Sequence, residues 1–190
     1  MKKYNIVYAD PAWHFSSKQL QKYSGKRFSS LDKEYINSDS KEFEKWDVEY
    51  FLDNDAACFM WTTDAHIPNA ISLLNAWGFK YTTVAFIWSK KTSTGKQVAT
   101  LGAWTMKNCE ICLLGTRGKM LKYKKANNVY QLTEAERTNH SKKPDIFAEK
   151  IINIFGDLPR IELFARDRKT GWDVFGNEVE SDIEMQYKRA

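Results

Sequence analysis

Short apolar runs alternate with polar or amphipathic stretches along the whole chain. The run Tyr4–Ala9 reads as a buried strand, because its apolar and aromatic residues lack the strict alternation of a half-exposed one. Ala56–Trp61, Phe79–Trp88, Glu110–Gly115, Arg160–Ala165 and Trp172–Phe175 read the same way. Between these runs, residues 39–53 predict a helix with Phe43, Trp46 and Phe51 on one face and Ser38 or Asp39 as its N-cap. Residues 66–77 predict a helix stopped by Gly78, and residues 144–155 an amphipathic helix with Pro144 in its first turn. The polar stretches 14–38 and 89–107 predict long loops, which in compact domains usually serve function. Residues 120–135 fit a hairpin or an arm carrying Lys122, Lys124 and Lys125, and the last dozen residues predict a charged, peripheral tail.

Strands alternating with helices predict an α/β fold: a mixed, mostly parallel sheet with helices on both faces. In such sheets ligands bind outside the carboxyl ends of the strands. Asp10, Arg117 and Arg166 each follow a strand, so parallel strands would gather all three at one edge. A length of 190 residues suits one domain, 1–190. No apolar run has the length of a membrane span, and no signal-peptide pattern follows Met1-Lys2-Lys3. Three cysteines cannot all pair within one chain, which favours a reduced, intracellular setting. A net charge of +5 permits nucleic-acid binding without requiring it.

The sharpest chemical signal is Asp10-Pro11-Ala12-Trp13, directly after the first strand. A carboxylate, a proline turn and an aromatic make a flat polar pocket with a stacking wall. The Asp10 side chain and the Pro11 carbonyl can each accept a hydrogen bond from a planar amine, while Trp13 covers the ring. Read blandly, the same residues are a strand ending in a tight turn beside a buried Trp. No Gly-x-Gly-x-x-Gly and no loop ending in Gly-Lys-Ser/Thr is present, which argues against ordinary dinucleotide and triphosphate sites. Cys109 and Cys112 lack the second ligand pair of a closed zinc site and read as small buried hydrophobes. His14, His66 and His140 show no metal-ligand spacing, so no metal is expected, and His66 reads as structural. Glu162 lies inside an apolar strand and needs a partner, either Arg166 or a ligand's amine or hydroxyl. Asn177 and Glu178 end a short strand, as ligand groups or as turn residues.

Taken in order, these segments resemble one family. Tyr-Ala-Asp-Pro-Ala-Trp, Phe-Met-Trp-Thr-Thr, Asn-Ala-Trp-Gly-Phe, Cys-Leu-Leu-Gly-Thr-Arg-Gly, Ser-Lys-Lys-Pro-Asp, Arg-Ile-Glu-Leu-Phe-Ala-Arg and Phe-Gly-Asn-Glu follow each other as in adenine-N6 methyltransferases of the MT-A type, relatives of the catalytic subunit of the messenger-RNA m6A writer. The resemblance covers residues 4–179. It implies a permuted, Rossmann-like, S-adenosylmethionine-dependent fold in which the catalytic motif comes first and the cofactor strand late. It assigns Asp10, Pro11, Ala12 and Trp13 to the target adenine and Arg117 to the cofactor's methionine carboxylate. Glu162, Phe164, Arg166, Arg168, Asn177 and Glu178 match positions that line the cofactor's nucleoside end. Ala12 stands where the family motif has a second proline, Arg168 where His is usual, and Glu178 where Gln is usual. The chain begins almost at the catalytic strand, without the upstream segment of eukaryotic relatives, so cofactor binding is expected to be weaker or aided by a partner chain; a homodimer or a partner chain is the expected source of target recognition.

The implied activity is methyl transfer to the N6 amine of adenine in DNA. RNA methylation, or an inactive nucleic-acid-binding scaffold of the same fold, are the alternatives. Lys18, Lys26 and Arg27 in the first polar stretch, and Lys90, Lys91 and Lys96 in the second, are the candidates for gripping the backbone.

Overall fold

The computed structural model describes residues 2–13, 40–102, 104–137 and 142–188. Strands β1 (Tyr4–Ala9), β2 (Leu52–Thr62), β3 (Lys80–Lys91), β4 (Cys109–Arg117), β5 (Leu132–Glu136), β6 (Arg160–Leu163) and β7 (Asp173–Phe175) form one sheet in the order β5-β3-β4-β2-β1-β6-β7. Neighbouring pairs are parallel except those made by β4, which runs against both β2 and β3. Helices α1 (Ser40–Glu44), α2 (Ile67–Ala76) and α3 (Ile146–Phe155) accompany it. This is the mixed, mostly parallel α/β sheet that the alternating pattern predicts.

Strand side chains alternate between two apolar layers. Ala56, Cys58 and Met60 of β2 join Val7, Ala9, Leu73, Leu74 and Trp77 in one layer. Ala57, Phe59 and Trp61 join Ile6, Tyr8, Phe147, Ile151 and Phe155 in the other. Both faces of the central strands are therefore buried, which is why their sequences read as continuous apolar runs. The same alternation separates the two cysteines of the C-x-x-C run: Cys112 is buried and Cys109 exposed, because residues three apart on a strand face opposite sides. Only Cys112 fits the buried-hydrophobe reading.

The helix expected over 39–53 is cut short. Beyond α1 the Asp47 amide donates to the Gln186 carbonyl at 2.8 Å, and Trp46 forms a bridge with Tyr187. These backbone groups serve the C-terminal segment instead of a helical ladder; a single turn at Val48–Phe51 follows, and then β2 begins. For the same reason the C-terminal segment is not merely peripheral: Met185 is buried in the α2-side layer.

Candidate active site

Direction decides which strand ends meet. The carboxyl ends of β1, β6 and β7 lie side by side, and β4 contributes its amino end to that edge, with Ile111 opposite Thr62 of β2. Glu110 therefore stands near Asp10. Arg117 is at the other end of β4, opposite Ala56, and donates to Glu49 at 3.2 Å. The expected convergence of Asp10, Arg117 and Arg166 fails for Arg117, because β4 is the antiparallel strand.

The basic group beside Asp10 is Lys143, from the Ser-Lys-Lys-Pro-Asp segment leading into α3. Its side chain is only 7% exposed, and Nζ lies 2.6 Å from Asp10 Oδ2 and 3.1 Å from Glu110 Oε2. The ammonium also sits 5.5 Å from the centre of the Trp61 ring. Glu110 is paired on its other side with Lys90. Burial works against the charge on Lys143, yet Asp10 and Glu110 outweigh it and hold the pKa above the ordinary lysine value. Burial likewise works against Glu110, and Lys143 with Lys90 outweighs it and lowers that pKa. The result is a chain of alternating charges, Asp10–Lys143–Glu110–Lys90, under the carboxyl edge.

Aromatic residues brace the motif. Trp13 Nε1 donates to the Trp61 carbonyl at 2.9 Å, and Trp61 Nε1 donates to the Tyr8 hydroxyl at 2.7 Å. The Trp13 ring stacks on His66 with centroids 5.8 Å apart and planes at 18°. His66 itself lies 2.8 Å from the Thr63 hydroxyl through Nδ1. Trp13 is half-buried and Pro11 buried.

The second half of the edge is the 164–172 connection between β6 and β7. Glu162 is buried on β6 and accepts from Lys169 at 2.7 Å; its protein partner is Lys169, and Arg166 instead lies 3.8 Å from Glu178. Burial raises the Glu162 pKa, with Lys169 opposing. Lys142, next to Lys143 in sequence, reaches Asp167 at 2.5 Å and so ties this connection to the start of α3. Phe164 takes φ 63°, an unusual conformation for an aromatic residue that costs ~1–3 kcal/mol. Its ring is held by Trp46, stacked at 4.9 Å, and by Phe43, edge-on at 4.8 Å. The connection also closes tightly on β7: a Cβ at Gly176 would come within 2.1 Å of the Ala165 carbonyl oxygen, so the Phe-Gly-Asn-Glu turn requires glycine there. Asn177 and Glu178 follow it as exposed groups. Arg168 turns away, with its guanidinium 3.0 Å from Asp182 and donating to the Glu180 carbonyl at 2.7 Å.

Of the candidate phosphate contacts, Lys90 is paired with Glu110 and Lys91 with Glu134 at 2.9 Å, while Lys96 is exposed in the β3–β4 excursion. Lys18, Lys26 and Arg27 lie outside the described residues. Sequence reasoning missed Lys143, Glu110 and Lys169. The rule that flags Glu162, a carboxylate within an apolar strand, applies equally to Glu110 in Cys-Glu-Ile-Cys-Leu-Leu.

Type II methyltransferase M.MunI of Mycoplasma sp is 36% identical over 189 residues, covering 94% of this chain and 78% of that protein. The N(6)-adenosine-methyltransferase catalytic subunit METTL3 of Homo sapiens and that of Mus musculus are each 24% identical over 182 residues, and this chain spans only 28% of their length. The MT-A70 family model matches residues 4–178, which include all seven strands of the sheet, and the chain belongs to the MT-A70 methyltransferase family.

Proposed function

We propose that this methyltransferase moves a methyl group from S-adenosylmethionine to the N6 amine of adenine in DNA. The observation that carries the reading is Asp10 at the carboxyl end of β1, ion-paired to buried Lys143 and flanked by the stacked Trp13. Preference for DNA rests on the 36% identity to a type II methyltransferase, against 24% to an N(6)-adenosine-methyltransferase.

The residues fit the donor. The donor's methionine carboxylate needs a cationic partner, which Lys143 supplies. A nucleoside needs acceptors and donors for its hydroxyls and ring, which Glu162, Asn177, Glu178 and Arg166 supply at the ends of β6 and β7. When bound, S-adenosylmethionine would supply an electrophilic sulfonium methyl, with the C–S electron pair leaving on sulfur as the N6 nitrogen bonds to the methyl carbon. Asp10 and the Pro11 carbonyl accept the two N6–H bonds, which keeps the nitrogen lone pair on nitrogen instead of in the ring. One N6 proton is then surplus, and Asp10 is the acceptor on its way to water. Trp13 holds the adenine plane, so alignment supplies much of the acceleration. Because the base must leave the stack, Trp13 and Asp10 receive an extruded or single-stranded adenine.

The test is incubation with methyl-labelled S-adenosylmethionine and matched DNA or RNA, followed by digestion to nucleosides. Label in N6-methyldeoxyadenosine supports the reading. Label only in the RNA product moves the substrate to RNA, and no label in either identifies a binding scaffold.

A further inference from the structure

The excursion between β3 and β4 carries a feature that methyl transfer itself does not use. Lys91 bridges to Gln97, and Thr100 to Lys107 with two backbone hydrogen bonds of 2.8 Å, so the segment is an ordered projection. Beyond the last bridge, Leu101, Trp104 and Met106 are 69%, 97% and 57% exposed. A Trp that open to water is rare, since its large apolar surface normally finds cover. A Cβ at Gly102 would come within 2.5 Å of the Thr105 carbonyl oxygen, so the turn at the tip is a tight one that needs glycine. No charged residue occurs from Gln97 to Met106, whereas Lys96 and Lys107 bound the stretch on either side.

The projection is fastened to the active edge. At its root, Lys90 and Glu110 belong to the charge chain that ends on Asp10. Lys107 pairs with Asp64 in the turn that also holds His66, the residue stacked on Trp13.

We propose that this tip is a wedge that enters the duplex where the target adenine leaves it, with Trp104 taking up the vacated space in the base stack. The inference rests on the DNA-methylating reading above. Apolar side chains inserted between base steps are an established way to hold DNA distorted, and exposed Lys96 on one flank suits a phosphate beside such an opening.

Permanganate oxidises thymines that have lost their stacking partner. Plasmid DNA treated with the protein and a non-reacting analogue of the methyl donor should show reactive thymines opposite the adenines that the active protein methylates, these being mapped by sequencing. Trp104→Ala should lower that reactivity by about tenfold, as expected for loss of a group that offsets unstacking, and Trp104→Phe should retain most of it. Affinity for S-adenosylmethionine, measured by calorimetry, should be the same in all three proteins. Equal thymine reactivity in wild type and Trp104→Ala overturns the wedge, as does the absence of reactive thymines with wild type or a parallel loss of cofactor affinity. A wild type that methylates no DNA is a different result: it removes the DNA reading, and the wedge with it.

Discussion

Glu110 and Arg117 stand at opposite ends of one strand. Glu110 is buried between Lys143 and Lys90, at the edge where Asp10 emerges. Arg117 is partly exposed and reaches across the surface to Glu49. Both are charged residues at the ends of an apolar run, and a uniformly parallel sheet would bring the Arg117 end to the site. β4 runs the other way, so its first residues reach the edge that carries Asp10 and its last do not. The direction of a strand, more than the residue type at its end, assigns a side chain to a site in a sheet of this kind.

The comparison can be broken first at Asp10. Asp10→Ala should lower methyl transfer by ~10²–10³ in rate, as for loss of one preorganised contact. Single-turnover kinetics on protein shown to be folded by its near-ultraviolet circular dichroism would measure this, and near-wild-type turnover would remove Asp10 from the mechanism.

Lys143 separates the two ends of β4 in stability. Lys143→Met leaves Asp10 and Glu110 without their shared buried cation and should cost ~3–5 kcal/mol, read from urea unfolding. Arg117→Ala breaks a surface pair and should cost ~0–1 kcal/mol in the same experiment. Equal losses would mean that burial of the Lys143 cluster has no energetic consequence.

A smaller effect sharpens the same point. The folded-state pKa of Glu110 lies below its ordinary 4.5, so the charged form is favoured by folding. Its contribution is present above pH 4.5 and disappears as pH falls through the lowered value. Glu110→Gln should therefore lose stability less steeply than wild type in that acid range, in chemical unfolding followed as a function of pH. An unchanged slope would show that Lys143 and Lys90 do not hold Glu110 charged.

How much of this was legible beforehand follows the physics of each signal. The strands at 4–9 and 160–163 and the helix at 146–155 could be read because burial on both faces, or on one stripe, writes itself into local pattern. The turn at Gly78, with φ 81°, was marked by its glycine. Asp10 and Trp13 were visible as a motif on a strand end. Lys143 was not, because a lysine before a helix looks solvated until the sheet brings Glu110 beside it. Arg117 misled because sequence gives a strand's ends but not its direction. The truncated helix after Glu44 depends on Gln186 and Tyr187, partners far away in the chain. The apolar tip at Leu101–Met106 was hidden inside a stretch whose lysines and threonines made it read as a polar loop.

The measurement that bears most directly on the central claim is calorimetric titration of S-adenosylmethionine into wild type, Lys143→Met and Arg117→Ala, each verified as folded. A site built on the carboxyl edge predicts that Lys143→Met weakens affinity by about tenfold or more, the loss expected for a charged hydrogen bond. It predicts that Arg117→Ala binds as wild type does. Weakened binding in Arg117→Ala with unchanged binding in Lys143→Met would place the donor at the opposite edge and contradict the account.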